Sequence, residues 1–235
     1  SCGEYGIMIK FNKKKGGASV YRYLFFDLDG TLTDSAEGIT NSVEYALNHY
    51  GISVQDKSSL NVFVGPPLVD SFMKYYGFDH EKARKSVGIY REYFETKGMF
   101  ENAVYPGIPE LLGSLKKEGY KLYVATSKPE QYSVKIIEHF GLAEYFEMIG
   151  GADMGENRIH KGDVIRYVME SCGLTNPDEI VMIGDRENDM IGAAQNHMES
   201  VGVLYGYGSR AELENAGACH IANDVPELGE VLRKL

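Results

Sequence analysis

Cysteine is scarce in this chain: Cys2, Cys172 and Cys219 are the three in 235 residues, widely spaced and without a CxxC pair. Such spacing suggests neither a disulfide framework nor a thiolate zinc site, and it predicts reduced thiols in a cytoplasmic protein. Basic residues are also in deficit, 24 Lys and Arg against 34 Asp and Glu, giving a net charge of −10. A general binder of nucleic acid or anionic membrane needs a basic face, so neither partner is expected. The cluster Lys13-Lys14-Lys15 lies beside Gly16-Gly17 and reads as a solvated tail. Long apolar runs are missing too: none approaches the ~18 residues of a membrane span. The N-terminus lacks the basic start, apolar block and small-residue cleavage site of a signal peptide.

What is present is enough apolar content, 43%, for one substantial core with a smaller appended unit. From Tyr23 onward strand-like and helix-like segments alternate, the pattern of a parallel sheet with helices on both faces. Ile108, Leu111, Leu112 and Leu115 recur at helical spacing and stop at Gly119. A strand from Lys121 follows, then a helix opened by Pro129 and carrying Val134, Ile137 and Phe140. Further strands are predicted at Phe146–Ile149, Ile180–Ile183 and Ser200–Val203, with helices near Gly162–Cys172, from Glu187, and at Arg210–Asn215 and Val225–Leu232. The expected fold is a Rossmann-like, doubly wound parallel α/β sheet. Residues 36–103 break the rhythm with helical patterns (Val43, Ala46, Leu47; Val87, Tyr90, Phe94) and no convincing strand, so they read as an all-helical insertion. This divides the chain into an N-terminal extension, 1–20, in which Ile7-Met8-Ile9 could pair on a sheet edge; a core, 21–35 and 104–235; and a helical cap, 36–103.

In open α/β sheets ligands bind beyond the carboxyl ends of the strands, and four segments with chemistry fall there. Asp27-Leu28-Asp29-Gly30-Thr31 follows the apolar run Tyr23–Phe26, and a buried strand cannot carry such carboxylates in its interior without a partner. An EF-hand calcium loop fails on spacing, because its glycine position holds Leu32 and its final glutamate position Gly38; aspartates of an ordinary turn remain the alternative. Thr126-Ser127 ahead of Pro129 reads equally as a helix cap. Lys161 sits near a helix start, where a cation opposes the macrodipole unless an anion is close. Asp185 and Asp189, at i and i+4, complement the dipole at the next helix N-terminus but repel each other unless they share a cation. Taken together, two carboxylate pairs suit a hard divalent cation, a lysine and hydroxyls suit a phosphate, and one carboxylate is left for covalent chemistry.

In these motifs, from about residue 22 to 235, the chain resembles the haloacid dehalogenase superfamily, phosphatase branch. Asp27-Leu28-Asp29-Gly30-Thr31 matches its DxDGT, Thr126 its strand-end Thr/Ser, Lys161 its lysine, and Gly184-Asp185 with Asp189 its GDxxxD. The segments "VGPPLVDSF" (64–72) and "GVLYGYGS" (202–209) are similar to those of phosphoglycolate-phosphatase-like and 5′-nucleotidase-like members. The resemblance implies a Mg²⁺-dependent phosphatase acting on a small phosphorylated metabolite through an aspartyl-phosphate. In that scheme Asp27 is the nucleophile and Asp29 the acid and base, with Thr126 and Lys161 as catalytic partners. Gly30, Thr31, Thr126, Ser127 and Lys161 would hold the phosphate. Asp27, Asp185 and Asp189 would hold the metal, with Asp29 contributing its backbone carbonyl while its side chain avoids the ion. Lys74, Tyr75 and Arg91 of the cap, His160 beside Lys161, and Tyr205 and Tyr207 are weaker candidates for the site; helix-surface, neighbouring and loop-packing roles are their alternatives. Two rival readings stand beside the phosphatase: a phosphomutase of the same family, and a phospho-acceptor signalling domain. Oligomeric state is not readable from these patterns.

Overall fold

The computed structural model describes residues 21–155 and 157–235, so Ile7-Met8-Ile9 and the Lys13–Lys15 cluster lie outside the described residues. Six parallel strands form one sheet in the order β5-β4-β1-β6-β7-β8: β1 (Tyr23–Phe26), β4 (Lys121–Pro129), β5 (Phe146–Ala152), β6 (Ile180–Gly184), β7 (Glu199–Val203) and β8 (His220–Ala222). The period-two alternation of each strand feeds two separate cores. On one face Leu24, Phe26, Leu122, Val124, Val181 and Ile183 are buried; on the other, Phe25, Tyr123, Ala125, Ile180 and Met182.

The second face is covered by α6 (Lys161–Ser171) through Val164, Ile165 and Val168, and by α7 (Glu187–Gln195) through Ala193. The first face receives α4 (Ile108–Lys117), α5 (Glu130–His139) and α9 (Val225–Lys234). Pro129 stands just outside α5 rather than opening it, and the buried side of that helix runs through Tyr132, Ile136 and Ile137, leaving Val134 half-buried. The helix at 210–215, α8 (Arg210–Asn215), has the expected bounds. β8 is a three-residue edge strand with no periodic signal of its own, which is why its sequence showed no strand.

The residues between β1 and α4 are mainly helical: α1 (Ala36–His49), a 3₁₀ turn at Lys57–Phe63, α2 (Leu68–Tyr76), α3 (His80–Tyr93) and a π turn at Phe94–Gly98. Between residues 36 and 102 no strand is found among these elements, and the one short pair lies at the boundaries of the insert. β3 (Ala103–Val104) pairs antiparallel with β2 (Thr33–Asp34), clamping together the two chain passages that lead out to and back from the helices. Two residues per strand are too few to register as alternation. The helices share a ring-rich interior, with Phe63 and Phe72 centroids 5.0 Å apart. That interior is continuous with the first face of the sheet, which is how the insert is held over the strand ends.

β1 lies between β4 and β6, where the strand order reverses. A doubly wound sheet leaves a crevice at the carboxyl ends of such strands. Asp27 and Asp185 directly follow β1 and β6 there, and Thr126 lies toward the carboxyl end of β4.

Candidate active site

Asp27 begins where β1 stops. Its N–H still donates to Ile183 O at 2.9 Å, so the backbone is tied to β6 while the side chain turns into the crevice. Asp27 Oδ1 accepts the Leu28 N–H at 2.7 Å and lies 2.7 Å from Lys161 Nζ. Lys161, the first residue of α6, is only 4% exposed; its ammonium also lies 2.8 Å from Asp189 Oδ1 and donates to Ala125 O at 2.9 Å. Burial alone would lower the ammonium's pKa, but Asp189 and Asp27 outweigh it and the net direction is up. The cation predicted opposite the macrodipole is therefore compensated by anions from two neighbouring elements.

The carboxylates of Asp27, Asp185 and Asp189 are all buried, with one oxygen of each within 4.8 Å of the others. Burial, with Asp189 next, drives the Asp27 carboxyl from 3.8 to about 7 despite the pull of Lys161. Burial, then the charges of Asp189 and Asp27, hold Asp185 well above the usual carboxylate range, against an opposing hydrogen bond from the Tyr207 N–H. Three oxygen donors that repel one another when ionised fit a hard divalent cation. Asp189 Oδ1 completes the donor set: it is buried beside the oxygens of Asp27 and Asp185, with the Lys161 ammonium 2.8 Å away.

Close backbone approach makes this crowding possible. Gly30, at φ +83°, is so near Asp185 that a Cβ there would stand 2.2 Å from Oδ2. Gly206 meets the same side chain, with a hypothetical Cβ 2.4 Å from Asp185 Cβ. The loop after β7 thus braces Asp185, and Tyr207 N–H donates to its Oδ2 at 2.8 Å. Thr31 Oγ1 approaches the other oxygen at 3.3 Å. Tyr205 donates its hydroxyl to Thr31 O at 3.0 Å, while the Tyr207 hydroxyl bonds the Asp34 carboxylate and accepts the Ala36 N–H. Both tyrosines therefore hold the loops of the site together.

Asp29 is set apart from the three. Its carboxylate is nearly buried and pairs with Lys128 Nζ at 2.8 Å, leaving Oδ1 without a hydrogen-bond partner among the described residues. Sequence patterns assigned Lys128 no role. Its signal was a lysine following Thr126-Ser127 at a strand end. The Lys128 ammonium also lies 4.8 Å from the ring centroid of Phe94, in the π turn of the insert. Thr126 is buried and its hydroxyl accepts the Lys128 N–H at 3.2 Å; the buried Ser127 Oγ has no partner among the described residues.

Two clefts meet near this centre. One, with about 790 Å³ of empty space partly open to solvent, is bordered by Asp29, Ser127 and Lys128 below and by Phe63, Tyr90 and Arg91 of the insert above. The other, about 770 Å³, is bordered by Lys74, Tyr75, His160, Lys161 and Arg186. Arg91 thus lies with Asp29 in one cleft, and Lys74 and Tyr75 lie in the other. His160 is exposed and its nearest charged partner is Asp70 at 3.9 Å, so it turns outward. No helix among the described residues is long and apolar enough to cross a membrane.

Known proteins bear on this arrangement. A sequence profile for the haloacid dehalogenase-like hydrolases matches residues 24–203. A 5′-nucleotidase of Pseudomonas aeruginosa is 45% identical over 212 residues, covering 90% of this chain and 96% of its own. The tyrosine-protein kinase PtkA of Mycobacterium tuberculosis is 36% identical over 211 residues, 89% of this chain and 72% of its own. A predicted phosphatase from Clostridium acetobutylicum superposes with a TM-score of 0.91 at 57% identity, covering 92% of this chain and all of that one. With its strand-end carboxylates, buried lysine and helical insert on that common frame, the chain belongs to the haloacid dehalogenase-like hydrolases and is a phosphatase of that family.

Proposed function

We infer that the protein hydrolyses a small phosphate monoester, of the phosphoglycolate or nucleoside monophosphate kind, through an aspartyl-phosphate on Asp27 with Mg²⁺ as cofactor. The observation that carries this reading is the different setting of two carboxylates at one strand end. Asp27 belongs to the three-carboxylate group and touches Lys161, whereas Asp29 faces the cleft and touches Lys128.

An Asp27 oxygen attacks phosphorus and the bond to the ester oxygen breaks. Asp29 donates a proton to the departing oxygen; it later takes one from the water that attacks the acyl phosphate, releasing phosphate and regenerating the Asp27 carboxylate. Lys161 stays beside Asp27 and offsets negative charge as the phosphoryl group arrives. The Thr126 and Ser127 hydroxyls and the amides after Asp27 hold phosphoryl oxygens. Asp27, Asp185 and Asp189 would hold Mg²⁺, with the Asp29 carbonyl, and the ion would supply the positive field that lets an anionic nucleophile meet an anionic ester. The helical insert acts as the cap that closes over substrate. A small phosphorylated metabolite as partner and a cytoplasmic setting belong to the same reading, supported by the free Cys172 and Cys219.

Hydrolysis of p-nitrophenyl phosphate tests it. Turnover should require Mg²⁺ and stop with EDTA, and a phosphoenzyme sensitive to hydroxylamine should form in the wild type and be lost in Asp27→Asn. Metal-independent turnover, or a phosphoenzyme surviving that substitution, overturns the assignment.

A further inference from the structure

Arg186 follows directly on Asp185 and is 8% exposed, a costly place for a guanidinium unless its donors are satisfied. Its fork divides between two parts of the molecule. Nε donates to Glu212 Oε1 of α8 at 2.8 Å, and Nη1 donates to Val64 O of the insert at 2.7 Å. Glu212 Oε1 also accepts the Glu187 N–H at 3.0 Å, so the anchor is itself fixed to the first turn of α7. From the backbone, the Arg186 N–H donates to Asp189 Oδ2 at 3.1 Å. On the insert side Gly65, at φ +101°, comes so near the arginine stem that a Cβ would stand 3.0 Å from its Cγ. The next two residues, Pro66 and Pro67, border both clefts.

One residue thus fixes a carboxylate of the acidic group with its backbone and the roof of the clefts with its side chain. Other polar contacts between insert and core lie elsewhere. Lys128 meets the Phe94 ring and Tyr132 meets Glu95, both at the π turn, and the Asp70–His160 contact is exposed and long.

We propose that Arg186 is a positioning residue: a latch that fixes Val64–Pro67 over the reaction centre and ties closure of the insert to the loop carrying Asp185 and Asp189. The kinetic part of this rests on the hydrolase reading; the latch itself does not. Lysine cannot replace the fork, since a compact ammonium does not reach two divergent acceptors in fixed geometry.

The test compares Arg186→Lys, Arg186→Met and Gly65→Ala with wild type by amide hydrogen exchange, with Mg²⁺ and with EDTA, alongside kcat and KM for p-nitrophenyl phosphate. Losing a charged hydrogen bond to a buried carbonyl should speed exchange at Phe63, Val64 and Gly65 by about ten- to hundredfold in both Arg186 variants. Amides of β1, β4 and β6 should keep wild-type protection, and KM should rise about fivefold or more, with smaller losses in kcat. Gly65→Ala should produce the same local acceleration, and combined with Arg186→Met less than the product of the two, because both act on one contact. Unchanged exchange at Val64 and Gly65, acceleration spread evenly over the core, or full additivity overturns the latch. Should neither Arg186 variant fold, Glu212→Gln carries the test in the same direction. Failure of the wild type to hydrolyse the ester defeats the hydrolase reading and leaves the exchange result to decide the latch.

Discussion

Replacing Lys161 by methionine removes a positive charge from a place where three buried carboxylates face one another. The apolar stem is kept and only the terminal ammonium is lost, so the change is mainly electrostatic: Asp27 and Asp189 lose contacts of 2.7 and 2.8 Å, and Ala125 O loses a donor at 2.9 Å. Breaking a buried pair by removing one partner costs about 3–5 kcal/mol. At ~2–4 °C per kcal/mol for a protein of this size, the metal-free variant should melt about 6–20 °C below wild type. The deficit should depend on pH. Asp27, raised from 3.8 to about 7, and Asp185, raised well above the usual range, bind protons in the folded state that the unfolded chain has released. Stability of the metal-free protein therefore falls as pH rises through that window, and the variant, lacking the compensating cation, falls more steeply. Conversely the deficit shrinks toward pH 5. Mg²⁺ should then stabilise the variant more than the wild type, since no ammonium competes for the same oxygens; saturation to a hundredfold excess over Kd contributes about 2.7 kcal/mol. Differential scanning fluorimetry across pH 5–8, in EDTA and in Mg²⁺, reads all of this. A variant melting within about 2 °C of wild type at pH 8 in EDTA would refute the view that this lysine neutralises the acidic group.

Two further outcomes follow from neighbouring contacts. Asp29→Asn should lower kcat by about 10²–10⁴ while Mg²⁺ affinity, read by the melting shift, stays near wild type, because its side chain lies outside the three-carboxylate group; near-native turnover would remove Asp29 from acid and base work. Gly206→Ala would place a methyl group 2.3 Å from Gly30 O and 2.4 Å from Asp185 Cβ, so the contact between this loop, the Gly30 turn and Asp185 must shift. The expected result is Mg²⁺ affinity reduced by about tenfold or more, measured by calorimetry; unchanged affinity would show that the loop does not brace Asp185 for the ion.

The carboxylates that the structure gathers were legible because they are local in the chain. Asp27 and Asp29 stand two residues apart after an apolar run, and Asp185 and Asp189 stand one helical turn apart after another; a buried strand that ends in carboxylates announces its end on physical grounds alone. The helical insert was legible as helices for the same reason, through the spacing of Val43, Ala46 and Leu47. Short elements escaped: β8 with three residues, and the β2–β3 pair with two in each strand, carry too little pattern to read.

Partnership between distant segments is a different matter. The sequence by itself determined which residues end at the sheet's carboxyl edge, because hydrophobic periodicity and the cost of burying charge are properties of a few adjacent residues. Tertiary structure alone decided that Lys128 pairs with Asp29, that Gly206 braces Asp185, and that Arg186 reaches Val64 across 122 positions of chain. Those contacts depend on how the crossing order of the strands brings separate loops to one crevice, and no local rule of composition or spacing encodes that meeting.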